Sequence, residues 1–163
     1  MLYTRIDVKG GVVFHMNQNF VERRIMGQLC EYWKQIQGGN KFPKKSDLDV
    51  DEIGHIMPYC VVVDVHQDDG KIDYHVGYVG SKVRQFADKG IFHETFIQFV
   101  SPDTETFQEY LDEVLETQEP MTDSGEALNG NQEEVRFRQC ILPLSDDGEK
   151  VTSMICAVNC KIY

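Results

Sequence analysis

The side chains able to do chemistry in this chain are five histidines, five cysteines and a short run of alternating aspartates. The histidines lack the HxxxH and HExxH spacings that place two imidazoles on one helix face to bind zinc. The cysteines contain no CxxC pair, which favours buried structural thiols over a metal site or a disulfide. We therefore predict neither a metal site nor a catalytic residue. The histidines are His15, His55, His66, His75 and His93, and the cysteines are Cys30, Cys60, Cys140, Cys156 and Cys160.

The aspartates resemble the start of a calcium-binding loop, because Asp47, Asp49 and Asp51 take its positions one, three and five. Such a loop also needs Gly at its sixth position and Glu at its twelfth, where this chain has Glu52 and Pro58. We therefore exclude calcium. The acids are expected instead to start a short helix that Pro58 ends.

Motifs for nucleophilic or phosphate chemistry are also missing, since the sequence has no Gly-x-Ser-x-Gly, P-loop or dinucleotide-binding glycine pattern. One enzyme hypothesis stays open, in which an acid-base pair converges in the cavity of a cone-shaped α+β fold. Its candidates are His75 and Asp73, which share a strand face that we expect to point outward. The sequence therefore predicts a protein that is not an enzyme.

The first clear element is a helix over residues 19–37, which follows an N-terminal arm over residues 1–18. Asn19 with Glu22 is a variant of the capping box, and Gly38-Gly39 end the helix. Its apolar stripe can cover a sheet, pair with a second copy in a homodimer, or do both. The dimer candidates on this stripe are Val21, Ile25, Leu29 and Trp33.

Strand patterns follow in two groups. A β-branched run over residues 59–65 and an alternating segment over 72–78 flank an Asp-Asp-Gly turn, which predicts a hairpin. Segments 121–128, 133–144 and 150–162 are joined by Asn-Gly and Asp-Asp-Gly turns, which predicts three antiparallel strands at the end of the sequence.

A second helix separates the two groups of strands. Ser101-Pro102 predicts its start, with Ser as the N-cap and Pro at the first helical position. Phe107 and Leu111 lie on its apolar face, and Pro120 closes the region. This order of elements predicts an α+β domain over residues 19–163, in which a long helix crosses a five-stranded antiparallel sheet and the N-terminal helix is an extra element.

Several short motifs also occur in the order that a known family shows. They resemble the Tyr-Trp, Pro, Leu-Pro, Val-Gly and Leu-Pro-Leu-Ser-x-Asp-Gly motifs of that family. On these residues the chain resembles a bacterial family of small stand-alone PAS-domain proteins over most of its length. The motifs lie at Leu29–Trp33, Phe42–Pro43, Ile56–Tyr59, Tyr78–Ser81 and Leu142–Gly148.

The resemblance implies the PAS fold and a sensory or regulatory function in signal transduction, exerted through ligand- or partner-induced protein contacts. Output is then expected to pass to a signalling partner in trans. A haem or flavin redox sensor is an alternative, with His93 as the candidate haem ligand. No cysteine has the Asn-Cys-Arg-Phe-Leu-Gln neighbours of a photosensory flavin site. The cofactor is unknown. We expect none, and a small organic ligand is the alternative.

A ligand pocket is expected on the concave face of the sheet, beneath the crossover helix. Aromatic and amide tips buried there need hydrogen-bond partners. A small ligand supplies them in one interpretation, and the side chains satisfy one another in a filled core in the other. The pocket candidates are Tyr74, Val76, Tyr78, Phe107, Leu111, Phe137, Gln139 and Cys156.

The net charge of the chain restricts the classes of partner that we expect. A formal net charge of -11 over 163 residues repels phosphate backbones and anionic lipids, so we expect neither nucleic acid nor membrane as a partner. Residues 101–119 hold seven acids and no base, which predicts a solvated face or a surface for a basic partner. Because the N-terminus shows no secretory pattern, we expect a cytoplasmic protein.

Overall fold

The computed structural model describes residues 7–8, 11–12, 24–101 and 106–163 of the chain. Its helices are α1 (Ile25–Gln37), α2 (Ser81–Asp88) and α3 (Phe107–Thr117). Its strands are β1 (Asp7–Val8), β2 (Gly11–Val12), β3 (Cys60–Asp68), β4 (Lys71–Val79), β5 (Met121–Leu128), β6 (Glu134–Ser145) and β7 (Val151–Ile162). Two short 3-10 helices lie at Lys45–Asp47 and Met57–Tyr59.

The strands form one antiparallel sheet in the order β1-β2-β5-β6-β7-β3-β4. Its five long strands, with α3 crossing between β4 and β5, confirm the predicted α+β fold. β7 pairs with β3, so the last strand joins the two hairpin groups into one sheet. β1 and β2 add two short strands beside β5, where Val12 pairs with Thr122, in the segment predicted as an arm.

Side chains alternate between the two faces of this sheet, and both faces of its centre are covered. On the inner face, Phe137 and Ile141 are buried on the side of α3. On the outer face, Leu142 and Ile155 are buried on the side of α1. Central β6 and β7 therefore show continuous apolar runs in place of simple alternation.

The N-terminal helix begins later than predicted. α1 starts at Ile25, because Arg24 has extended backbone (φ -80°, ψ 144°) and takes the N-cap position. The predicted first turns, residues 19–23, lie outside the described residues. α1 ends where predicted, at Gly38, whose φ of 56° is in the left-handed region that favours glycine.

The start predicted for the crossover helix is wrong. α3 begins at Phe107, after a capping box in which Thr106 Oγ1 accepts a hydrogen bond from Glu109 N (3.2 Å) and Glu109 Oε2 accepts one from Thr106 N (2.6 Å). This pair satisfies two backbone N–H groups at once, which Ser101 as N-cap does not. Residues 102–105 lie outside the described residues.

The short helix predicted before β3 is also wrong. Residues 50–56 form turns, and the following 3-10 helix Met57–Tyr59 contains Pro58 within it. Asp49 still makes a local cap, since its Oδ1 accepts a hydrogen bond from Asp51 N at 3.0 Å. A turn satisfied in this way competes with a continuous helix.

Candidate functional site

An aromatic cluster lies between α3 and the inner face of the sheet. The ring of Phe99 lies 4.7 Å from that of Phe137 and 6.5 Å from that of Phe107, centroid to centroid. Gly125 leaves room for the Phe137 ring, because a Cβ there would lie 2.9 Å from its Cζ. The structure therefore brings together the predicted pocket residues Phe107 and Phe137, with Leu111 buried on the same helix.

Gln139 is the polar side chain sealed into this inner face. It is 2 % exposed and lies between Asp123 on β5 and Val158 on β7. Within the described part of the chain, neither Nε2 nor Oε1 of its amide has a hydrogen-bond partner. A buried amide without partners costs about 1–3 kcal/mol, so the site is one that a polar ligand would stabilise.

Cys156 lies on the same face, paired across the sheet with Val61 and Ile141. It is buried, and the removal of water raises the pKa of its thiol well above the ordinary value. A thiol held in its neutral form packs as a small apolar side chain and is a poor nucleophile or metal ligand. Cys156 therefore contributes shape to the site and no reactivity.

Tyr74 links the sheet edge to the crossover helix. Its hydroxyl donates a hydrogen bond of 2.5 Å to Asp112 Oδ1, and Val76, two residues along β4, is half-buried on the same face. Burial and the hydrogen bond to this carboxylate raise the pKa of Tyr74 above its ordinary value of 10. The hydroxyl is thus satisfied by the protein, unlike the amide of Gln139.

Replacing this tyrosine tests the link. Tyr74→Phe is expected to lower the free energy of unfolding by about 1 kcal/mol, since the bond to Asp112 is partly exposed to solvent. The pKa of Tyr74 is raised in the folded state, so the stabilisation by its hydrogen bond to Asp112 is present below pH 10 and is lost at higher pH. Urea unfolding at neutral pH and above pH 10 measures both effects.

Tyr59→Phe is the matched control, because its hydroxyl makes no hydrogen bond within the described residues. We expect that variant to unfold like the parent protein. Equal destabilisation by the two substitutions, or a loss that does not change with pH, would show that Tyr74 acts only through packing.

Tyr78, which was predicted to share the pocket face, lies on the other face of the sheet. A bulge at the Val62/Val63 step pairs Tyr78 with Val62 and Val76 with Val63, so the two β4 residues point to opposite sides. Tyr78 is 40 % exposed, and its hydroxyl donates to Met57 O at 3.3 Å. The residue between them, Gly77, is the sequence feature that signals such a bulge.

The residues of the enzyme and haem hypotheses are all exposed. His75 and Asp73 lie on the outer face, where the ring of His75 contacts His66 at 4.5 Å between centroids. His93 is exposed in the segment after α2. Among the residues the structure describes, no cluster of three His, Cys, Asp or Glu side chains is placed to hold a metal ion.

Two of the four dimer candidates lie inside the protein's own core. Leu29 and Trp33 are buried, and Trp33 Nε1 donates a hydrogen bond of 2.7 Å to Pro143 O. Ile25 is half-buried, and Val21 lies outside the described residues. α1 therefore has the covering role, and any contact with a second copy has to use its other side.

A groove with basic residues, which the sequence patterns did not predict, lies on the outer face. Arg136 and Arg138 project there from β6, because they alternate with the inward-facing Phe137 and Gln139. That alternation was visible in the sequence. The contribution of Lys161 from β7 depends on strand register, which the sequence does not state.

These observations define a class of small α+β domain, in which a crossover helix covers the inner face of an antiparallel sheet. A family model described as PAS domain matches residues 21–158, most of the sequence, and the chain belongs to the PAS-domain family. No curated protein matches the sequence. Within the described residues, no helix has both the length and the apolar character needed to cross a bilayer.

Proposed function

We propose that this PAS domain is a sensor that regulates a partner protein, and that its signal is a small molecule hydrogen-bonded to Gln139. One observation carries the proposal: a buried primary amide with no partner in the described protein. Native proteins leave few such groups, and those that occur need an explanation. The function is regulatory rather than catalytic in this proposal, because the chain belongs to the PAS-domain family and every described histidine is exposed.

The environment of Gln139 limits the chemistry of the ligand. Its amide offers two donors and one acceptor, so the ligand needs an adjacent acceptor and donor. The surrounding face is aromatic, with Phe99 and Phe137 in contact, and also contains the buried carboxyl group of Asp123. A small organic molecule with an apolar body and one amide-like edge fits these requirements.

The signal would reach the surface through α3. Phe107 and Leu111 pack over the site, and the hydrogen bond from Tyr74 to Asp112 ties the same helix to β4. A ligand at Gln139 that favours one packing of α3 against the sheet shifts the population of that state. Surfaces on α3 and on the sheet then present different contacts to a protein partner in trans.

Two finer proposals accompany this one. We place the protein in the cytoplasm, since its five cysteines are free thiols. We also retain a homodimer that uses the solvent side of α1, where Lys34 is exposed and Ile36 half-buried. Light scattering at micromolar concentration tests the dimer, and a monomer mass rejects it.

Native mass spectrometry of protein purified from its own host tests the ligand. We expect a mass excess in the native spectrum that disappears on denaturation and is absent from Gln139→Leu. The Gln85→Leu variant, altered at an exposed glutamine of α2, should keep the excess. Unliganded mass alone, together with no thermal shift across a panel of small organic molecules that carry an amide-like edge, would reject the sensor proposal.

A further inference from the structure

An open groove of about 620 Å³ crosses the outer face of the sheet at the end that α1 leaves bare. Two rows of cross-strand neighbours form its floor over β5, β6 and β7. One row is Ser124, Arg138 and Asn159, and the adjacent row is Glu126, Arg136 and Lys161. All six side chains are exposed.

The cations of the groove differ in their partners. Arg136 is neutralised locally, since its Nε lies 3.3 Å from Glu126 Oε1 and 3.5 Å from Glu134 Oε1. Arg138 and Lys161 have no carboxylate within ion-pair distance in the described part of the chain. Two cations without an ion-pair partner therefore lie diagonally opposite each other on β6 and β7, on a protein whose net charge is -11.

Neutral hydrogen-bonding groups surround these cations. The neighbours of Arg138 across the strands are Ser124 and Asn159, which offer a hydroxyl and an amide. Tyr163 forms the rim, with its ring centroid 5.0 Å from Lys161 Nζ and 4.4 Å from Arg136 Cζ. This set of donors matches carboxylates, which a guanidinium binds through two parallel hydrogen bonds.

We propose that this groove docks an acidic segment of the partner protein that the sensor regulates. The inference rests on the proposed regulatory function and names the chemistry of its partner. An extended segment with carboxylates at alternate positions fits best. Side chains on one face of an extended segment repeat every two residues, and the two rows of the groove are also two residues apart along each strand. Local charge complementarity then selects the partner and sets its orientation.

A second copy of this chain is a poorer occupant. Its acidic surface, with Glu109, Asp112 and Glu116 exposed on α3, lies on the opposite side of the molecule from the groove. Contacts of that kind run head to tail, and they do not give the symmetric two-fold dimer that is the commonest assembly of identical chains. Nucleic acid is disfavoured too, because a long polyanion meets the negative field of the whole protein, whereas a short segment meets mainly the groove.

Fluorescence anisotropy with a short labelled peptide, glutamate at alternate positions, tests the docking. We expect binding at low salt that weakens as salt is added, and roughly tenfold weaker binding to the double variant Arg138→Gln, Lys161→Gln. The double variant Lys82→Gln, Lys150→Gln removes the same charge from exposed sites elsewhere and should bind like the parent protein. Melting temperatures of both variants confirm that they fold.

Several results would overturn the proposal. They are equal binding by both double variants, equal binding of a peptide with glutamine in place of glutamate, preferential binding of single-stranded DNA, and concentration-dependent self-association that competes with the peptide. The peptide is tested on recombinant, ligand-free protein, so its binding is measured without any contribution from a ligand at Gln139. Failure of the docking test is thereby separated from failure of the ligand test.

Discussion

Replacing Gly80 with alanine is expected to destabilise the fold by about 3 kcal/mol or more, the largest effect we predict for a single methyl group. A Cβ at this position would lie 2.3 Å from the carbonyl oxygens of both Met57 and Pro58. Both obstacles are backbone atoms, so no side-chain rotation relieves the overlap. The chain before β3 has to move away from the start of α2, or the hydrogen bond from Gly80 N to Cys60 O (2.8 Å) has to break.

The expected destabilisation comes from the close approach of Gly80 to neighbouring backbone atoms and not from its own backbone conformation. Gly80 has φ -69° and ψ 156°, which any residue adopts. Gly39→Ala is the matched control, since a Cβ at Gly39 meets nothing within 4 Å and should leave stability within about 0.5 kcal/mol of the parent. Urea unfolding of both variants measures the difference. Equal, small effects would show that the 3-10 helix yields easily and that this contact does not define the fold.

Replacing Gln139 with leucine is expected to stabilise the protein, raising the free energy of unfolding of the ligand-free form by about 1–3 kcal/mol. The amide of Gln139 is buried without a partner, and leucine fills a similar volume with no group to leave unsatisfied. The same substitution should abolish the stabilisation that a ligand gives. A stability gain joined to a loss of response is typical of a site kept for function.

The control for this variant is Gln85→Leu on the exposed surface of α2, where the change in stability should stay within about 0.5 kcal/mol. Thermal unfolding of recombinant, ligand-free protein gives both values. If Gln139→Leu lowers the melting temperature by several degrees, the amide has a partner within the protein. The case for a ligand at this position then fails.

Much of this architecture follows from patterns that depend on local physics. Turn residues and alternating apolar side chains predicted the five long strands, and the spacing of Phe107 and Leu111 predicted the buried face of the crossover helix. Because side chains alternate along β6, the sequence also predicted that Phe137 and Gln139 face inward together. The missing partner of Gln139 was not predictable, since it depends on which groups the fold places around it.

The errors have definite physical causes. Tyr78 lies on the face opposite the predicted pocket because one bulge near Gly77 inverts the alternation of side chains along β4. α3 began at Phe107 because Thr106 and Glu109 form a capping box, a signal present in the sequence that the Ser-Pro pair obscured. The basic groove was missed because its residues converge from separate strands through register, which no local pattern specifies.

The most direct test of the sensor proposal is a two-dimensional NMR spectrum of ¹⁵N-labelled protein before and after addition of a small-molecule extract from its host. The side-chain amide signals of Gln139 are identified by their absence from the spectrum of Gln139→Leu. We predict that these signals shift, together with backbone amides of α3. Unmoved Gln139 signals, whether or not other resonances shift, would contradict the proposal that this amide receives the signal.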